Sequence, residues 1–139
     1  LESKQGIESL EGIPVYPDAR KEDYRKIDLG FQVDYKTRDN ADQVQEFYLE
    51  QMAELKWGLI KQEAMTKEDF YDLRKIDIAG RKMIADIEVR GAMLEFEKEN
   101  KKCFIAISRL EDTSYVEISV GVPSVFDETI IAISYEEKK

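Results

Sequence analysis

The sequence contains no histidine and a single cysteine in 139 residues. Without histidine there is no Ser-His-Asp or Cys-His nucleophilic site and no His-ligated zinc, iron or haem; with Cys103 alone there is no Cys-rich zinc module and no intramolecular disulfide. No apolar run approaches the roughly 18–20 residues that span a bilayer, and Leu1-Glu2-Ser3-Lys4 is not the apolar centre of a signal peptide. GxGxxG, P-loop, nucleophile-elbow and HExxH motifs are all missing. Basic residues are also in deficit, 21 Lys and Arg against 30 Asp and Glu, for a net charge of −9. An acidic surface repels phosphate backbones and anionic headgroups, so neither nucleic acid nor a membrane surface is the expected partner.

What is present is enough to fold. Apolar residues make up 42% of the chain and charged residues 37%, which suits one domain with one core and excludes wholesale disorder. Residues 1–12 are poor in apolar side chains and carry two glycines, the pattern of a tail or a short helix; residues 13–139 form the single α+β domain. Pro14 and Pro17 block helix and favour an extended or turning path. From Ile27, apolar Ile27, Leu29, Phe31, Val33 and Tyr35 alternate with polar residues, the period of a strand with one buried face. Asn40 and Gln43 then have capping-box spacing, and Val44, Phe47, Tyr48, Gln51 or Met52, and Leu55 form the stripe of an amphipathic helix over residues 40–56. A strand is expected from Trp57 to Ala64. Thr66 with Asp69 caps a short helix carrying Phe70 and Leu73, and a second helical segment is expected around Met83, Ile84 and Ile87, stopped at Gly91. Strands at Lys75–Ile78 and Ala85–Val89 are the alternative there. Met93–Glu97, Cys103–Leu110 and Tyr115–Val122 read as a three-stranded meander on short polar connections, and Thr129–Tyr135 as a last strand.

The chemistry-bearing side chains each have an ordinary explanation. Cys103 has no histidine to activate it and is expected as a small core residue. Glu95 and Glu97, Asp28 and Asp34, and Asp127 and Glu128 are carboxylate pairs; Glu95 and Glu97 alternate with Leu94 and Phe96 as a solvent face would. Asp39-Asn40-Ala41-Asp42 lacks the spacing, central glycine and terminal glutamate of a calcium loop and suits a helix cap. The basic cluster Arg20-Lys21 and Arg25-Lys26 is largely cancelled by Glu22 and Asp23. Seven Tyr, six Phe and one Trp are the remaining lead. Tyr16, Tyr48 and Trp57 are the candidate partner-binding residues, because rings with polar tips favour interfaces, with helix-on-sheet packing as the alternative. No catalytic, cofactor-binding or metal-ligating residue is assigned.

Tyr16-Pro17-Asp18-Ala19, the strand ending in Thr37-Arg38-Asp39, Val44-Gln45-Glu46-Phe47-Tyr48, Leu55 and Trp57 resemble the "YPGA … T-x-D … V-x-x-F-Y … L … GW" arrangement of small exported bacterial domains. The overall pattern is similar to the PsbP-like α+β sandwich, and within it to an uncharacterised family of Thermotoga-type bacteria. Asp18 stands at the usual glycine, so no glycine-only dihedral is expected in that turn, and Lys56-Trp57-Gly58 inverts the usual Gly-Trp order. The resemblance implies an antiparallel sheet packed by helices, an extracytoplasmic setting with the signal or anchor outside these residues, and a non-catalytic binding or assembly role with a protein partner. A small-molecule or metal-binding domain built on a carboxylate cluster is the rival, requiring three or more acids converging on one concave site.

Overall fold

The computed structural model describes residues 7–83, 85, 88–111 and 128–138. Two short strands, β1 (Ser9–Leu10) and β2 (Ile13–Pro14), form a hairpin of their own. The remaining strands are β3 (Arg20–Ile27), β4 (Gly30–Thr37), β5 (Gly58–Ala64), β6 (Glu88–Lys98), β7 (Lys101–Glu111) and β8 (Thr129–Glu137). They build one antiparallel sheet in the order β3-β4-β8-β7-β6-β5. Helix α1 (Ala41–Glu54) lies between β4 and β5 in sequence, and α2 (Lys67–Arg74) and α3 (Ile78–Met83) between β5 and β6. The α+β class and the helix-packed antiparallel sheet are as expected from the sequence.

Side-chain alternation places the core. Register aligns Val33, Ile133, Ile105 and Leu94 in one row across the sheet, with Phe31, Tyr135, Cys103 and Phe96 on one side of it and Tyr35, Ile131, Ile107 and Ala92 on the other. Helix α1 covers these rows with Ala41, Val44, Tyr48 and Met52, all buried, at helical spacing of three and four. The opposite sheet face carries Met93, Phe104, Ala106 and Ala132, packed against Met65, Phe70 and Tyr71 at and within α2. The sheet is thus the middle of three layers, with a separate apolar cluster on each face.

Local chemistry sets the element ends. Asn40 Oδ1 accepts from Gln43 N at 2.8 Å while Gln43 Oε1 accepts from Asn40 N at 3.1 Å, the reciprocal box expected from spacing. Thr66 and Asp69 repeat it at the start of α2. At the end of α1, Lys56 N donates to Ala53 O and Trp57 N to Met52 O, both at 2.9 Å, the Schellman pattern. Lys56 supplies its left-handed residue at φ +72°, the position glycine usually fills. Lys98 Nζ donates to Leu55 O at 2.7 Å, bringing a cation to the negative helix end.

Several expectations are corrected. Residues 9–10 form a strand instead of belonging to a tail or helix, because Val15 N closes onto Glu8 O and zips the hairpin. The strand placed from Ile27 is two strands, turned at Asp28-Leu29, and Leu29 is exposed. The turn after Tyr16 does use the left-handed region: Asp18 has φ +65°, a conformation that Asp tolerates better than most residues. Gly91 does not end a helix; it lies inside β6 at φ +135°, where a Cβ would meet Ile107 O at 1.9 Å. Lys75–Ile78 is not a strand: Lys75 caps α2 and Ile78 opens α3. The expected strand Tyr115–Val122, together with Ile84 and Ile87, lies outside the described residues. The hairpin β6–β7 forms as expected, and β8 pairs with β7 on its other side.

Candidate functional site

The three candidate rings enter the core. Tyr48 is fully buried, and its hydroxyl donates to Pro14 O at 3.1 Å, fastening α1 to β2. Tyr16 and Trp57 are each 7% exposed. Tyr16 packs edge-on against Phe47, centroids 5.0 Å apart, and Phe47 against Tyr48 at 4.9 Å. Trp57 meets Tyr135 at the other end of the helix. Of the two readings of Tyr16, Tyr48 and Trp57, the rings take helix-on-sheet packing and are not displayed to a partner: packing beneath the helix removes more apolar surface than display would, and the hydroxyls of Tyr16 and Tyr48 find partners inside.

Those partners explain the motif. The Tyr16 hydroxyl donates to Asp39 Oδ2 at 2.5 Å, and Asp39 N donates to Thr37 Oγ1. Burial raises the Tyr16 hydroxyl well above the ordinary phenol range, and the Asp39 carboxylate adds to the rise. Asp39 O accepts from Thr129 Oγ1 at 2.6 Å, and Arg109 reaches Arg38 O, Asp39 O and Thr129 Oγ1. The Tyr-Pro turn, the Thr-x-Asp corner and the start of β8 are one hydrogen-bonded joint.

Beside this joint the β1–β2 hairpin leaves a groove against the sheet. Leu10, Val15 and Ala19 supply apolar wall, Glu8 and Lys21 stand at the rim, and Tyr35 lies at the base, in a hollow of about 350 Å³. An adjoining hollow of about 300 Å³ continues along Val15, Tyr16, Pro17 and Asp18. Only 4% of Tyr35 is exposed. Its hydroxyl makes no hydrogen bond to the described residues, yet no buried side-chain oxygen among them is left unsatisfied, so this oxygen opens onto the groove. Burial, then the nearby Glu8 carboxylate, push its ionisation upward, which keeps it a neutral donor. Sequence reasoning placed Tyr35 on the buried face of the alternating strand and set Lys21 aside as a cancelled charge. The signal it could have used is a tyrosine at the end of a buried alternating row, where its tip must emerge.

The other candidates resolve simply. Cys103 is fully buried in β7, and burial pushes its thiol up to about 12, far from a reactive thiolate. Glu95 is half-buried and Glu97 exposed on the sheet face away from α1. Asp34 lies 3.7 Å from Arg74 of α2, and its carboxyl is raised by burial against the lowering effect of that arginine. Asp127 lies outside the described residues. Among the described residues no group of three or more acids, cysteines or histidines is placed to hold a metal, so the carboxylate-cluster rival finds no convergent site there. No described helix is long and apolar enough to cross a membrane.

The fold and the groove together define an α+β domain with a small amphipathic recess between a hairpin and its sheet. A family model described as START domain-like matches residues 21–77, from β3 through α2. The match takes in Lys21 and Tyr35 and covers under half of the chain. It lends no support to a PsbP-like or Thermotoga-type assignment. No curated protein and no solved structure matches the chain.

Proposed function

We propose that this domain is a non-catalytic binding module whose ligand occupies the groove above Tyr35. The Tyr35 hydroxyl, without a partner among the described residues, carries the reading: a buried ring ending in a donor beside an apolar wall is a recognition element awaiting an acceptor. The START domain-like match is in keeping with a ligand-binding role. The chemistry on offer is a short apolar contact with Leu10, Val15 and Ala19, a hydrogen bond from Tyr35, and a choice of charge at Lys21 or Glu8, which suits a small amphipathic molecule. No described residue of the groove is poised for turnover, since the hydroxyl is held protonated and Lys21 and Glu8 stand in solvent. An envelope setting is supported by the likeness of Tyr16 to Trp57 to exported domains, and fractionation of the full-length protein tests it.

Amide chemical shifts followed during titration with octanoate, octylamine and N-acetyl-leucine amide test the site. Expected are shifts at Leu10, Val15, Ala19 and Lys21 with at least one probe. Tyr35→Phe should weaken that probe by roughly three- to tenfold, the worth of one neutral hydrogen bond, and Val15→Trp should abolish binding by filling the groove. Silence of these amides toward all three probes, or binding indifferent to Val15→Trp, overturns the proposal.

A further inference from the structure

Among the described residues, the two edges of the sheet are built differently. Edge strand β3 is closed by charge: Arg20, Lys21, Glu22, Asp23, Arg25 and Lys26 crowd it, a register shift between Lys21 and Asp23 breaks its line, and Glu11, Glu22 and Glu128 pair with its cations or with Lys36 beside it. Such features keep a free edge from recruiting other strands. Edge strand β5 is left open by the described residues. All seven of its residues are exposed, including Leu59 at 44% and Ile60 at 50%, and Leu55 at the adjoining helix end is exposed as well. Its irregularity falls between Leu59 and Lys61, so Lys61 to Ala64 runs in regular register with β6.

That regular stretch is charge-complementary to itself. Lys61 and Glu63 flank Gln62 and lie on the same sheet face, opposite Glu95 and Met93. Within one chain they stand 3.7 Å apart and both are more than half exposed, a pair worth little alone. An antiparallel copy centred on Gln62 brings each Lys61 opposite the other chain's Glu63, and four charges alternate around a square. A lysine on an edge strand normally deters pairing; here it deters every strand that lacks an acid at the matching position, and its own copy has one.

We propose that β5 is a self-recognition edge, along which two copies of this chain pair antiparallel about a two-fold axis at Gln62 and continue the sheet from one molecule into the other. The contact is isologous, so it closes at two chains and does not propagate. It also covers Leu59 and Ile60. A contact of this length is smaller than a standard interface and gives a reversible dimer.

Sedimentation velocity of the full chain, from about 5 µM to about 500 µM, tests this. Dimer should grow with concentration. Lys61→Glu or Glu63→Lys alone sets like charges opposite each other twice and should weaken association about tenfold, whereas the two together restore it. Gln62→Cys should oxidise to a covalent dimer, since Gln62 faces itself across the axis and Cys103 is buried. A monomer at every concentration overturns the proposal, as does a dimer that ignores the single charge reversals. Failure of the double reversal to restore association overturns the register, and with it the two-fold axis.

Discussion

Lys56 holds φ +72° at the end of α1, a conformation that costs a side chain with a Cβ about 1–2 kcal/mol. Glycine removes that cost and returns part of it as unfolded-state freedom. Lys56→Gly should therefore raise stability by about 0.5–1 kcal/mol, read as a higher urea midpoint at unchanged slope; a lower midpoint would show that the lysine stem contributes more than its backbone strain costs. The same choice recurs at Glu11, Asp18, Lys75 and Glu99, all between φ +51° and +65°. This is why several turns were illegible in the sequence. A search for glycine at helix ends and hairpins passes over charged residues that do glycine's work, and it misassigns Gly91, whose freedom is used inside a strand. Tyr16 and Asp39 were visible as motif residues, but the bond joining them across 23 positions was not.

Helices α1 and α2 were legible almost to the residue. The boxes Asn40/Gln43 and Thr66/Asp69 and the buried series Val44, Tyr48 and Met52 all stand where spacing put them, because a helix end and a helix face are local facts. Strand β3 was invisible because every residue from Arg20 to Lys26 is exposed, and an edge strand has no buried face to impose alternation. The groove was illegible for a related reason: it exists only where the hairpin, the turn at Asp18 and β4 meet. The energetic weight of the α1 ends can be measured. Asn40→Ala should cost about 1 kcal/mol, the usual value of an N-cap, and Lys98→Ala about 0.3–1 kcal/mol through loss of the cation at Leu55 O. Thermal melts of the two single variants and the double variant should add, since the sites lie at opposite ends of the helix. Strong non-additivity would mean that α1 does not melt independently at its ends.

For the molecule as a whole, several groups are held in their protonated forms by burial. Cys103 is raised to about 12, and Tyr16 and Tyr48 are raised beyond the ordinary phenol range. In the unfolded chain these groups ionise near pH 8.5 for the thiol and near 10 for the phenols. An acid whose folded value lies above its unfolded value contributes its full stability below the unfolded value and loses it as pH rises toward the folded one. The urea midpoint should hold level through neutral pH, begin to fall above about pH 8.5, and fall more steeply above about 10. Cys103→Ala should move the onset upward, toward the phenols. A midpoint unchanged at pH 10.5 would contradict these burials. One feature of the strand order bears on how the protein is made. The last strand, β8, enters between β4 and β7 and is hydrogen-bonded to both along nearly its whole length. A ribosome thus delivers a charged hairpin and a β5–β6–β7 meander that cannot join until β8 has left the exit tunnel. The central rows of the core, each of which needs Ile131, Ile133 or Tyr135, close only once β8 has emerged. Until then the nascent chain presents those unfinished rows to whatever chaperones attend it.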